Sequence, residues 1–193
     1  MWTLPNILTL SRIPLMFIIV WLTYQTWDGA ATIAFAAFIA AAISDWLDGA
    51  IARKRGVVSN FGKFMDALTD KILVIGLMVT FVDRFGLPLP FVLVTLCREF
   101  LVSGMRMVVA AKGVIVAADG GGKTKTISQM IAIGCLLAVP LLSKDLGHLL
   151  PDEFSFLVEW LHNLGLIGFI IGTHLAVWSG YRYLRANWSA FTN

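Results

Sequence analysis

Charge is scarce in this chain. Only 14% of its 193 residues are charged and 58% are hydrophobic, and the mean hydropathy is +0.81. A soluble domain of this size carries nearer 25% charge, so too little polar surface is available to cover a water-exposed globule. Cysteine is equally sparse. Cys97 and Cys135 each sit inside an apolar run, where they read as small hydrophobes and give no disulfide framework. The three histidines, His148, His162 and His174, are scattered without ligand spacing, which with two cysteines excludes a zinc site. Internal repeats and low-complexity tracts are absent. The first apolar run lacks a basic start and a small-residue cleavage site, so it is expected to be a retained helix and not a removed signal peptide. These absences exclude a secreted disulfide domain, a disordered chain and an ordinary cytosolic enzyme, and leave an all-α integral membrane protein.

What is present fits that class. Apolar segments long enough to span a bilayer, about 20 residues each, occur at 5–24, 29–52, 61–82, 88–111, 124–143 and 155–184. The connectors are short, so residues 1–193 are expected to form one domain of six transmembrane helices. The last segment is long enough to run past the bilayer, with Trp178, Tyr181, Tyr183 and Trp188 placed as an interfacial belt. Arg53, Lys54, Arg55, Lys63, Lys112, Lys123, Lys125, Arg182 and Arg185 fall on one side, against Arg84 and Lys144 on the other. The positive-inside rule makes the basic side cytoplasmic, and an even number of spans puts both termini there. The net charge of +3 is therefore topology and contact with anionic lipid, with no nucleic-acid partner implied.

Against this background the in-span charges stand out, because each costs about 2.5–3.5 kcal/mol at a helix centre. They are Arg12, Asp45, Asp48, Asp66, Asp70, Lys71, Arg98, Glu99 and Arg106, mostly in the cytoplasmic halves, and they predict one polar catalytic cavity at the cytoplasmic side. At 100° per residue, Asp45, Asp48, Gly49, Ala52 and Arg53 share an arc of roughly 140°, and Gly62, Asp66 and Asp70 one of roughly 80°. Each helix thus offers two carboxylates interleaved with small residues. Four carboxylates in a low-dielectric cavity repel one another unless cations are present. Hard divalent ions with oxygen ligands answer this, and two of them suit displacement at phosphorus. Charge alone also fits an ion pathway in a cation transporter.

Spacing separates these readings. Asp45, Asp48, Gly49, Ala52, Arg53, Gly62, Asp66 and Asp70 spell D-x2-D-G-x2-A-R-x8-G-x3-D-x3-D, which resembles the signature of the CDP-alcohol phosphotransferase family at all eight fixed positions. The resemblance implies transfer of a substituted phosphate from a CDP-linked donor to an alcohol, with release of CMP. It implies that Asp45, Asp48 and Asp66 ligate two divalent cations, Mg²⁺ or Mn²⁺, and that Asp70 completes the metal site and acts as the catalytic base toward the acceptor hydroxyl. It assigns Gly49, Ala52 and Arg53 to the nucleotide edge of the donor, where glycine permits close backbone approach and arginine meets phosphate.

Acceptor specificity should come from outside the motif. The fourth segment carries CREFLVSGMRM and the following stretch reads GGGKTKTISQM. Arg98, Arg106, Lys123 and Lys125 are expected to form a cationic pocket for an acceptor bearing its own phosphate. Lys123 and Lys125 also suit plain positive-inside anchoring. An Arg98–Glu99 bridge is not expected, because adjacent helix positions do not face each other, and a partner for Arg98 elsewhere in the bundle stays open. This region resembles the branch of the family that joins CDP-diacylglycerol to sn-glycerol 3-phosphate, and PNILTLSRI is similar to that branch's first helix. The resemblance places Asn6, Thr9 and Arg12 at the CDP-diacylglycerol site, although Asn6 and Thr9 equally suit interfacial capping. It further implies a bacterial cytoplasmic-membrane location, membrane lipids as surroundings and a homodimer. Inositol phosphate or phosphatidylglycerol are the alternative acceptors.

Overall fold

The computed structural model describes the backbone of residues 4–55, 60–111, 120–149, 151 and 155–192, and the side chains of 10–44, 68–69, 71–109, 124–149, 151 and 155–189. Among the described residues the chain is helical, with no strand. The helices are α1 (Leu4–Thr23), α2 (Ala30–Arg55), α3 (Asn60–Phe85), α4 (Leu89–Ala111), α5 (Gly120–Pro140) and α6 (Ser155–Thr192). They match the six apolar segments to within a few residues at most ends. The exceptions are informative. Helix α5 stops at Pro140 and continues as a wider π-helical turn over Leu141–Asp145, closed by the Leu146 N–H on the Leu141 carbonyl at 3.0 Å. Proline has no N–H and its ring crowds the preceding turn, which accounts for the change of pitch. Helix α6 runs for 38 residues, about 57 Å at 1.5 Å per residue, well beyond a hydrocarbon core of about 30 Å.

The turns are tight. Gly29 (φ 96°) and Gly86 (φ 69°) occupy the left-handed region just before α2 and just after α3, where a side chain would be strained. The start of α2 is capped from a distance. Both the Thr32 N–H and the Thr32 hydroxyl donate to Asp145 Oδ2 at 2.7 Å, so the end of the α5 segment satisfies donors that a helix N-terminus leaves orphaned.

Helix α1 packs on both α2 and α3, α5 packs along α6, and α4 lies on α6. The main core joins Met16, Ile19 and Leu22 of α1 to Phe38 of α2, Leu73, Leu77 and Phe81 of α3, Ile133, Leu136 and Leu137 of α5, and Phe169 of α6. Close approach of α5 and α6 depends on glycine. A Cβ at Gly165 would lie 2.7 Å from Leu136 Cγ, and one at Gly172 would lie 3.2 Å from Gln129 Cγ. Small residues at this spacing are the usual means of close helix contact in a membrane.

The outer surface is apolar. Phe17, Trp21, Phe100, Phe156, Trp160 and Trp178 are each more than half exposed, on a scale that water-soluble monomers avoid. The stretches Thr124–Asp145 and Ser155–Ser189 are long and apolar enough to cross a membrane, and Leu10–Thr23 and Ala30–Ser44 are shorter apolar runs. Among the described residues the molecule is all-helical, with the apolar surface expected of a membrane protein.

Candidate active site

The eight motif residues all lie on helical backbone, five in the C-terminal half of α2 and three in the first half of α3. Their side chains fall outside the described residues, but the register of the helices carrying them is visible. In α2 the buried stripe is Ala34, Phe38 and Ala41, and a period of 3.6 continues it through positions 45, 48 and 52. In α3 the buried stripe is Thr69, Leu73, Leu77 and Phe81, and the same period runs it back through positions 70 and 66. Positions 45, 48, 52, 66 and 70 therefore share the helical register of these stripes. Arg55 and Asn60, which end α2 and begin α3, are joined by five peptide steps, so these ends lie within about 18 Å of each other.

Helix α1 packs on both motif helices and buries Arg12 almost completely, at 1% exposure. Asn6 and Thr9 belong to the same helix, with side chains outside those described. Lys71, next to Asp70, is half-buried.

The second polar group is fully described. Glu99 of α4 is buried and accepts from two cations on the same oxygen: Arg98 Nη1 at 2.8 Å, and Lys125 Nζ of α5 in a short ion pair. Arg98 reaches further, donating from Nε to the Ala176 carbonyl at 2.9 Å and from Nη2 to Ser179 Oγ at 2.7 Å, both on α6. One turn along, Thr95 and Thr173 share a buried hydroxyl–hydroxyl bond of 3.1 Å. Gln129, one turn along α5 from Lys125, is also buried. The expectation that Arg98 and Glu99 do not meet is thus corrected. Their Cβ directions diverge by about 100°, but the long Arg98 side chain folds toward α6, and both head groups converge where α4, α5 and α6 come together.

The four cations expected at an acceptor phosphate are therefore distributed unevenly. Arg98 and Lys125 meet through Glu99. Arg106 is exposed, with its guanidinium 5.7 Å from the Tyr183 ring centroid, two helical turns or about 12 Å along α4 from Arg98. Lys123 is on α5, and its side chain is outside those described. Sequence reasoning had flagged Glu99 as an expensive in-span charge without giving it a role. Ser179 and Gly180 gave no signal, because their importance lies in a contact between helices 78 to 82 residues apart in sequence.

The family model for CDP-alcohol phosphatidyltransferase matches residues 2–172. The chain belongs to this family. Among curated relatives, the CDP-diacylglycerol–glycerol-3-phosphate 3-phosphatidyltransferase of Bacillus subtilis (strain 168) is 37% identical, over 98% of this chain and 97% of its own. The enzyme of the same name from Rickettsia typhi is 34% identical, over 96% of this chain and 97% of its own. A cardiolipin synthase (CMP-forming) from Oryza sativa subsp. japonica is 31% identical, over 96% of this chain and 57% of its own. The aspartate motif lies on α2 and α3, and the Glu99 cluster joins α4, α5 and α6.

Proposed function

We propose that this protein transfers the phosphatidyl group of CDP-diacylglycerol to the 1-hydroxyl of sn-glycerol 3-phosphate, giving phosphatidylglycerophosphate and CMP. The observation that carries this reading is the complete aspartate motif, in register with the buried stripes of α2 and α3, in a chain similar over nearly its full length to enzymes named for that reaction. The donor's acyl chains lie in the bilayer and its head group enters a cytoplasmic cavity at the end of the bundle where α2 ends and α3 begins.

The donor set suits hard divalent cations, since carboxylates are the only side-chain ligand type the motif offers. Asp45, Asp48, Asp66 and Asp70 would hold two such ions, Mg²⁺ or Mn²⁺, which neutralise charge on the pyrophosphate. Asp70 takes the proton of the acceptor hydroxyl as its oxygen bonds to the diacylglycerol-linked phosphorus. The phosphoanhydride bond to CMP breaks, and CMP leaves with the electron pair. Gly49, Ala52 and Arg53 border the nucleotide, with Asn6, Thr9 and Arg12 on the α1 side of the donor. Arg106, Lys123 and Lys125 face the acceptor's phosphate. Positioning and charge supply most of the catalysis, as in phosphoryl transfer generally.

In this reading all six helices cross a bacterial cytoplasmic membrane, with both termini and the site on the cytoplasmic side, and the protein functions as a homodimer. The rice relative, whose name specifies a CMP-forming cardiolipin synthase, favours phosphatidylglycerol as the second acceptor to test. The deciding experiment is CMP release by the purified chain with CDP-diacylglycerol and either sn-glycerol 3-phosphate, phosphatidylglycerol or no acceptor. Release that depends on sn-glycerol 3-phosphate is expected. Release only with phosphatidylglycerol would reassign the acceptor.

A further inference from the structure

We propose that Arg98 and Glu99 are positioning residues that present Lys125 to the acceptor's phosphate, so that an anchor on α6 sets acceptor affinity. This rests on the proposed function and assigns separate roles within its basic cluster. Arg98 is an unsuitable phosphate ligand. Three of its five donors are spent on the protein: Nε on the Ala176 carbonyl, Nη2 on Ser179 and Nη1 on Glu99. Its course over α6 is built in. A Cβ at Gly180 would stand 3.1 Å from Arg98 Cγ and 3.2 Å from Arg98 Nε, so glycine leaves room for the guanidinium to reach its partners.

The chain of contacts has a direction. The α6 backbone and Ser179 fix Arg98, Arg98 fixes the Glu99 carboxylate, and the same Oε1 atom holds the Lys125 ammonium. Lysine is a compact charge on a flexible four-carbon stem, so a fixed buried carboxylate determines where that charge sits. Arg98 and Glu99 thus act on the acceptor through Lys125, and Ser179 and Gly180 act through Arg98.

The test uses the full chain purified in detergent, with CMP release followed at saturating CDP-diacylglycerol and varied sn-glycerol 3-phosphate. Ser179→Ala should raise the acceptor KM about three- to tenfold and Glu99→Gln at least tenfold, with the donor KM within twofold of wild type. The double variant Glu99→Gln/Lys125→Met should be no worse than Lys125→Met alone, because both changes remove one linked effect. A purely structural clamp would lower thermal stability and leave the acceptor KM in place, which overturns the proposal. So would a lower KM in Glu99→Gln, which would make Glu99 a competitor of the phosphate, or independent effects of Glu99 and Lys125. Should Glu99→Gln not purify as a single species, Ser179→Ala and Gly180→Ala carry the same readout without changing charge. Wild type that releases no CMP with sn-glycerol 3-phosphate overturns the proposed function instead. Inorganic phosphate titrated by ³¹P NMR then decides the positioning role: weaker binding to Ser179→Ala and Glu99→Gln supports it, and equal binding overturns it.

Discussion

A single aspartate carries the sharpest expectation. Asp66 shares the helical register of the buried Leu73 and Leu77 in α3, and Asp66→Asn keeps its size while removing the charge that a metal needs. CMP release should fall by at least about a hundredfold, equivalent to about 2.7 kcal/mol of lost transition-state stabilisation at 1.36 kcal/mol per factor of ten. The variant should still purify with wild-type helix content, checked by circular dichroism, and wild-type turnover would remove the two-metal account. Arg106 differs from Arg98 in having an exposed side chain near Tyr183 and no place in the Glu99 network. Arg106→Ala should therefore raise the KM for sn-glycerol 3-phosphate with little change in the donor KM, as measured by initial rates of CMP release. Chemically similar cations, eight positions apart on one helix, thus have separate assignments that their spacing alone did not give.

At the scale of elements, the contact between α5 and α6 is the one most exposed to small changes. Gly165 sits against Leu136 and the Ala132 carbonyl, with a Cβ 3.3 Å from that backbone oxygen, so a larger residue cannot be absorbed by side-chain motion alone. Gly165→Leu should cost about 1–3 kcal/mol or more through overpacking. In a thermal unfolding assay that is a loss of several degrees, at about 2–4 °C per kcal/mol for a chain of this size. An unchanged melting temperature would show that α5 and α6 separate without penalty. Helix α5 also shows how an element can end before its apolar run does. The hydrophobic stretch continues beyond Pro140, yet the helix widens there, and the turn that follows delivers Asp145 to the start of α2.

For the whole molecule, the proposed topology is open to direct measurement. Single cysteines placed near residues 3 and 190, in a background lacking Cys97 and Cys135, should resist a membrane-impermeant maleimide in intact cells and react in inverted vesicles. A cysteine at position 147 should do the reverse. The six helices, their approximate limits and the aspartate motif were legible in the sequence. Hydropathy sets which segments leave water, and a helical period sets which positions share a face; both are local properties of the chain. The partners of Arg98 were not legible. They lie on α6, at Ala176 and Ser179, with Gly180 making the room, and nothing in the sequence specifies which turn of one helix packs against which turn of another. The sequence by itself therefore determined an all-helical membrane enzyme with a carboxylate motif, because composition and spacing act along the chain. Only the tertiary structure decided that Arg98 and Lys125 share the carboxylate of Glu99 while Arg106 stands apart, because ion pairs form between surfaces brought together by packing.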